Sequence, residues 1–215
     1  MDIIETLGKA GVIPVIVIER EEQAVPLAKA LVKGGLPVLE VTFRTKAAAG
    51  AIAAIRREVP EAVLGAGTLL TPQMVKDAKA AGAVFGVAPG FDPVVLAAAK
   101  EEGLPMCPGI ATASELSQAL TAGCTMVKFF PAEAAGGVKM IKNLLGAFRF
   151  TGVKFMPTGG VNLSNVADYL AVPEIVCCGG TWIVPKDALA AGDYASIEKL
   201  AADASALVRR VRSGK

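Results

Sequence analysis

The chain has 215 residues, 53% of them hydrophobic and 5% aromatic, with a formal net charge of +2. This length suits one domain with a substantial core, and the near-neutral charge argues against nucleic acid or an anionic membrane as a partner. Histidine is absent, which excludes a serine–histidine triad and leaves Glu, Asp, Lys, Tyr or Cys for acid–base chemistry.

Short apolar runs alternate with Ala-rich segments of helical spacing along the chain. After a short N-terminal helix we predict eight strands: VIPVIVI (12–18), VLEVTF (38–43), AVLGAGT (62–68), VFGVAPG (84–90), PMCPGI (105–110), MVKFFPA (126–132), VKFMPTGG (153–160) and IVCCGGTW (175–182). Thr71–Pro72, Asp92–Pro93 and the capping box Thr112–Glu115 mark helix starts between them. The pattern indicates eight β-then-α units.

Eight such units have parallel strands that are buried on both faces. Their closure gives an α/β fold, the (β/α)8 TIM barrel, predicted as a single domain over residues 1–215. The alternative is an open doubly wound sheet, which needs a glycine-rich turn after strand 1, where the sequence is IEREEQ. In a barrel, functional residues lie at the carboxyl ends of the strands.

The composition also gives an expectation of location. No apolar run reaches the ~18–20 residues of a membrane helix, and MDIIETLGKAG lacks the basic start of a secretory leader. The four cysteines are Cys107, Cys124, Cys177 and Cys178, and their spacing matches no zinc-binding pattern. Cys177 and Cys178 are adjacent and should face opposite sides of one strand. We expect reduced thiols in a cytoplasmic protein.

Polar residues interrupt two of the predicted strands. Glu40, Thr42 and Arg44 alternate along strand 2 and so share one face, which should look into the barrel rather than form a solvated surface ladder. In TMVKFFPA (125–132), Lys128 is in phase with inward-facing neighbours. A Lys128–Glu40 pair kept for structure alone would gain little over apolar packing.

A buried amine has a chemical use. Burial disfavours the charged form of an amine, and a neutral amine attacks a carbonyl to give a Schiff base. We therefore interpret Lys128 as a nucleophile and Glu40 as the group that transfers protons. Arg44 could bind a carboxylate with two parallel hydrogen bonds.

Two glycine pairs end the last two predicted strands, in PTGG (157–160) and CGGT (178–181). Paired glycines let backbone amides approach an anion, and barrels often bind phosphate after strands 7 and 8. Two tight turns without a ligand are the alternative. At the same edge Thr68 could bind a carboxylate, and Pro89 and Phe130 could wall a pocket, although turn or core packing would explain these three equally well.

The motifs LEVTFRT, GAGT, KFFPAE and PTGG, in this order, resemble the 2-keto-3-deoxy-6-phosphogluconate (KDPG) aldolases, also called 4-hydroxy-2-oxoglutarate (KHG) aldolases, over nearly the whole chain. The resemblance implies a class I aldolase without metal or cofactor that forms a homotrimer. It implies cleavage of KDPG to pyruvate and glyceraldehyde 3-phosphate, with action on 4-hydroxy-2-oxoglutarate as well.

The resemblance also implies roles for residues. Lys128 would be the Schiff-base lysine and Glu40 the general acid/base. Arg44 and Thr68 would hold the carboxylate of the substrate, with Thr158 near that end. Pro89 and Phe130 would line the pocket. The phosphate would bind at Gly159, Gly160, Gly180 and Thr181. The family often has Ser where Thr181 stands, and the added methyl group changes the phosphate pocket.

Three other functions stay open at the level of sequence. The first is an aldolase for the 6-phosphogalactonate epimer. The second is a sugar-phosphate isomerase or epimerase that uses Glu40 as base, in which Lys128 would have little to do. The third is a non-catalytic binding protein or assembly subunit that kept the fold.

Overall fold

The computed structural model describes residues 2–214 and shows parallel strands interleaved with helices. The strands are β1 (Val12–Ile16), β2 (Val38–Thr42), β3 (Val63–Gly67), β4 (Phe85–Val87), β5 (Met106–Cys107), β6 (Gly109–Ile110), β7 (Met126–Phe129), β8 (Lys154–Pro157) and β9 (Cys178–Gly180). The helices are α1 (Ile3–Ala10), α2 (Ala24–Lys33), α3 (Ala48–Glu58), α4 (Pro72–Ala81), α5 (Pro93–Glu101), α6 (Ala113–Thr121), α7 (Gly137–Phe148), α8 (Val166–Leu170), α9 (Lys186–Ala191) and α10 (Tyr194–Arg212).

All strand pairs are parallel, as predicted, but the pairing is divided between two sheets. One sheet has the order β5-β4-β3-β2-β1-β9 and the other β6-β7-β8. The isolated bridges Phe155–Ile175 and Thr158–Gly179 link the β8 region to the segment around β9. The strands therefore form a curled parallel sheet around a common interior, rather than the single ring of eight that the sequence predicted.

The predicted fifth strand is split in two at Pro108. Met106 and Cys107 pair with β4, whereas Gly109 and Ile110 pair with β7. Proline has no N–H to donate to a ladder, so the run changes partner at this residue. This split accounts for nine observed strands where eight were expected.

Alternating strand residues face two different cores. Val38 and Met126 belong to an interior cluster, which Leu7 of α1 also joins. Val41 and Val127 belong to the larger cluster between the strands and the helices. The inward phase inferred for Glu40 and Lys128 is confirmed, because each lies two residues beyond an interior apolar residue on its own strand.

The predicted helix starts are also confirmed. The side chains of Thr71 and Asp92 cap α4 and α5 immediately before a proline. Thr112 and Glu115 form the capping box of α6. These caps fix where each helix leaves its loop at the carboxyl edge of the strands. None of the helices in residues 2–214 combines the length and apolar character needed to cross a membrane.

All four cysteines are free and buried, as expected. Cys177 lies in the interior cluster and Cys178 in the outer one, so the two adjacent thiols face opposite sides, as alternation predicts. Burial raises the pKa of the Cys107, Cys177 and Cys178 thiols. Each thiol therefore stays protonated.

Candidate active site

One buried pair of opposite charges lies in the interior formed by residues 2–214, and its two residues come from different sheets. Lys128 on β7 and Glu40 on β2 approach to 3.8 Å between Nζ and Oε1, and their side chains are 6% and 0% exposed. Since β2 and β7 belong to different sheets, the curl of the structure brings these two groups together across the interior.

The Glu40 carboxylate is poorly satisfied. Neither of its oxygens has a hydrogen-bond partner among residues 2–214, and 3.8 Å to Lys128 exceeds hydrogen-bond length. Gly67 on β3 makes room for this side chain, because a Cβ atom there would lie 2.8 Å from the Glu40 Cδ atom. A buried carboxylate with free lone pairs is costly to the fold and is available to a water molecule or a substrate hydroxyl.

Phe130 lies close to the lysine, and Pro89 lies close to the strand that pairs with it. The Lys128 ammonium lies 5.2 Å from the centroid of the Phe130 ring. A Cβ atom on Gly109 would collide with the Pro89 carbonyl, and Gly109 is the strand partner of Lys128. The two residues therefore flank the lysine on its β6 side and at the end of β7.

Thr68 follows the last residue of β3 in an unusual conformation. Its φ of 58° makes it the only residue other than glycine with positive φ in the described part of the chain. A β-branched residue rarely adopts this region, and such strain is concentrated at functional sites. Arg44 lies two residues beyond β2, is exposed, and makes no ion pair with residues 2–214. Its guanidinium is therefore available to an anion.

The glycine turns after β8 and β9 offer unused backbone donors. Gly159 and Gly160 both have positive φ, at 100° and 82°. Within residues 2–214 no hydrogen bond uses the backbone N–H of Gly160, nor those of Thr181 and Trp182. Successive free N–H groups in glycine turns suit an anion.

Thr158 connects the two turns. It bridges to Gly179, and its Oγ1 lies 2.5 Å from where a Cβ atom on Gly179 would be placed. This hydroxyl is buried and has no hydrogen-bond partner in the described chain. The structure thus brings the predicted Thr158, Gly159 and Gly160 next to the β9 turn that carries Gly180 and Thr181.

Sequence reasoning missed the residues that support this turn. Tyr169 of α8 donates its hydroxyl hydrogen to the Glu133 carboxylate. The side-chain amides of Asn162 and Asn165 each donate to the Gly160 carbonyl at 3.1 Å. Glu133 stands in the KFFPAE motif, and NLSN (162–165) has the composition of a side-chain-capped turn. The sequence therefore shows both features but does not show that they support the glycine turn.

A cavity of about 560 Å³ lies at the opposite edge of the strands. Its lining is mostly apolar and includes Leu7, Met106, Cys124 and Met126. These residues lie at or before the amino ends of the strands. At that end of a barrel, residues contribute to stability rather than to catalysis. Residues 2–214 contain no group of three or more His, Cys, Asp or Glu side chains placed to hold a metal ion.

Comparison with known proteins shows the family of this chain. A family model described as KDPG and KHG aldolase matches residues 3–200. The chain belongs to the KDPG and KHG aldolase family. The KHG/KDPG aldolase of Escherichia coli (strain K12) is 52% identical over 198 residues, which cover 92% of this chain and 92% of that protein.

Solved structures of KDPG aldolases have the same fold as this family member. The enzyme of Legionella pneumophila, with pyruvate captured as a covalent carbinolamine intermediate, is 42% identical with a TM-score of 0.89 and covers 94% of this chain and 97% of its own. The enzyme of Zymomonas mobilis, with 3-phosphoglycerate, is 42% identical with a TM-score of 0.87 and covers 95% of each chain. The family resemblance inferred from the four motifs is confirmed.

Proposed function

We propose that this protein is a class I aldolase that cleaves KDPG to pyruvate and glyceraldehyde 3-phosphate and also acts on 4-hydroxy-2-oxoglutarate. The observation that carries the proposal is the buried Lys128 amine, 3.8 Å from a carboxylate with no hydrogen-bond partner in residues 2–214. Membership of the family and the carbinolamine trapped in the Legionella pneumophila enzyme support the same chemistry.

In the proposed mechanism Lys128 passes a proton to Glu40, and the neutral amine attacks the C2 carbonyl of the substrate. Glu40 returns the proton to the leaving hydroxyl group, so the carbinolamine loses water to give an iminium ion, which draws electrons from the neighbouring bonds. Glu40 takes the proton of the C4 hydroxyl as the C3–C4 bond breaks, and the aldehyde product departs. The bonding electrons form an enamine, which is protonated at C3 and hydrolysed to pyruvate and the free amine.

The remaining predicted residues would hold the substrate in this orientation. Arg44 and Thr68 would bind the carboxylate, with Thr158 near the same end. Pro89 and Phe130 would pack beside the carbon chain. The phosphate would bind at the two glycine turns, at Gly159, Gly160, Gly180 and Thr181, where the backbone N–H groups of Gly160 and Thr181 are unused within residues 2–214. The 3-phosphoglycerate in the Zymomonas mobilis structure is a compatible phosphorylated acid.

We also propose that the two sheets together form the wall of one (β/α)8 barrel and that residues 1–215 are a single domain. The bridges between the β8 and β9 regions and the interior contact of Lys128 with Glu40 support closure. The homotrimer implied by the family and a cytoplasmic location stay predictions. Light scattering after size-exclusion chromatography would test the trimer.

The decisive test is borohydride reduction in the presence of pyruvate, followed by peptide mass mapping. We expect one covalent adduct on Lys128 and none in Lys128→Ala, which should also have no turnover. The matched control is Lys154→Ala, since Lys154 lies at the amino end of the neighbouring strand β8 and should not affect trapping.

A folded wild-type protein that forms no adduct would refute the proposal. The isomerase reading would then be tested by looking for sugar-phosphate conversion without cleavage. With an adduct established, kcat/KM for KDPG, its galactonate epimer and 4-hydroxy-2-oxoglutarate would rank the substrates.

A further inference from the structure

The glycine turn after β8 rests on the segment that follows β7. The backbone N–H of Ala132 donates to the Thr158 carbonyl at 2.9 Å, and that of Glu133 donates to the Gly159 carbonyl at 3.0 Å. A Cβ atom on Gly160 would lie 2.6 Å from the Glu133 Cγ atom, so the Glu133 side chain packs directly on that glycine. The position of Glu133 therefore decides the position of the turn.

Glu133 is itself held by one residue from another element. Tyr169 is buried in α8, with 1% of its surface exposed, and its hydroxyl donates to Glu133 Oε1. Burial, followed by the bond to Glu133, raises the pKa of the Tyr169 hydroxyl. The hydroxyl thus stays a proton donor across the neutral pH range.

The other side of the turn is fixed by side-chain amides. Asn165 Nδ2 and Asn162 Nδ2 both donate to the Gly160 carbonyl, while Asn165 Oδ1 accepts from the Asn162 N–H at 2.8 Å. These bonds occupy the carbonyl oxygen of the turn and leave the Gly160 N–H unused.

We propose that Tyr169 is a positioning residue that acts through Glu133 to hold the Gly159–Gly160 turn in its phosphate-binding conformation. This inference rests on the proposed function of the turn. Freed from Tyr169, the Glu133 carboxylate can rotate, which loosens the support under Gly160 and lets a negative charge move toward the bound phosphate. Tyr169 thereby sets the preference for phosphorylated over unphosphorylated substrates.

The effect should be confined to the phosphate end of the site. Among residues 2–214 neither Glu133 nor Tyr169 makes a hydrogen bond or ion pair with Lys128 or Glu40. A phosphorylated substrate should therefore bind less tightly when the Tyr169–Glu133 bond is lost. An unphosphorylated substrate, which does not use the turn, should be unaffected.

The test is Tyr169→Phe, assayed for pyruvate formation from KDPG and from 4-hydroxy-2-oxoglutarate. One lost hydrogen bond corresponds to a rise of about three- to tenfold in KM for KDPG, with kcat and KM for 4-hydroxy-2-oxoglutarate changed less than about twofold. Glu133→Ala should give the same split. Glu133→Gln keeps an oxygen that accepts from the tyrosine hydroxyl, so unlike Glu133→Ala it should have a KM for KDPG near the wild-type value.

The matched control is Tyr194→Phe, because Tyr194 begins α10 and its hydroxyl takes no part in the Glu133 contact, in which the donor is Tyr169. A second readout is the stabilisation of each variant by inorganic phosphate in thermal unfolding, which needs no turnover. Tyr169→Phe should be stabilised less than the wild type and Tyr194→Phe equally.

An equal rise in KM for both substrates would show a general structural role and overturn the inference, as would no change for either. If the wild type cleaves neither substrate, the proposed function fails, and the phosphate titration alone decides the inference. Equal stabilisation of wild type and Tyr169→Phe by phosphate would then overturn it.

Discussion

Replacing Lys128 by methionine should destabilise the protein through the carboxylate that remains. At 3.8 Å, two unit charges attract by roughly 4 kcal/mol at the effective dielectric constant of about 20 that suits protein sites. Removal of one partner from a buried pair costs about 3–5 kcal/mol. We expect a loss of that size in Lys128→Met, because Glu40 then keeps a buried charge with neither a counterion nor a hydrogen bond.

The double variant Lys128→Met with Glu40→Met should recover most of this loss. Both side chains are buried, and apolar groups of similar volume often replace a buried ion pair at little cost or with a gain. We expect its free energy of unfolding to lie within about 1 kcal/mol of the wild-type value or above it. All variants that lack Lys128 should be inactive, so the site would be shown to cost stability for the sake of chemistry.

The assay is urea unfolding followed by circular dichroism, with an unchanged m-value taken as the sign of an unchanged unfolding transition. Lys154→Met is the control, since Lys154 makes no ion pair with residues 2–214, and it should shift stability by less than about 0.5 kcal/mol. A loss below about 1 kcal/mol in Lys128→Met, or a double variant as unstable as the single one, would refute the electrostatic reasoning.

Three further predictions test the site and its frame. Gly67→Ala should displace the Glu40 carboxylate and lower kcat about 10- to 100-fold with the fold intact. Gly90→Ala is the control, because a Cβ atom there meets nothing within 4 Å, and it should leave kcat unchanged. Equal activity of the two variants would contradict the packing argument. Thr112→Ala should lower the free energy of unfolding by about 1 kcal/mol through loss of the α6 cap, whereas the exposed Ser114→Ala should not. Burial raises the pKa of Cys107 and the other thiols, so at high pH the folded state keeps protons that the unfolded state releases. The free energy of unfolding should therefore be unaffected by the thiols below about pH 8.5 and should fall as the pH rises above it. Denaturant titrations at pH 7 and pH 10 would measure the loss, and equal stability at both would contradict it.

Much of the site was predictable because strand geometry has a period of two. Glu40 and Lys128 could be assigned to an inward face from their neighbours alone, and the glycine pairs could be assigned to strand ends from their place in the β-then-α pattern. The helix caps were predictable for another local reason: a Thr or Asp side chain before a proline accepts hydrogen bonds from the first N–H groups of the helix without help from the rest of the chain.

Other features depend on contacts between distant segments. Pro108 is visible in the sequence, but only the structure shows that the strand changes partner there and so belongs to both sheets. The φ of Thr68 is imposed by the loop it joins, against the preference of a β-branched residue. Tyr169 and Glu133 are 36 residues apart, and no local pattern pairs them.

The sequence by itself determined the alternation of elements, the inward phase of the polar residues and the family, because these follow from local periodicity and from motifs. Only the tertiary structure decided that Lys128 meets Glu40 across two sheets, that both Glu40 oxygens lack partners within residues 2–214, and that Tyr169 supports the glycine turn. The physical reason is that a distance between side chains on non-adjacent elements is set by how the sheets curl and pack, which depends on every strand at once.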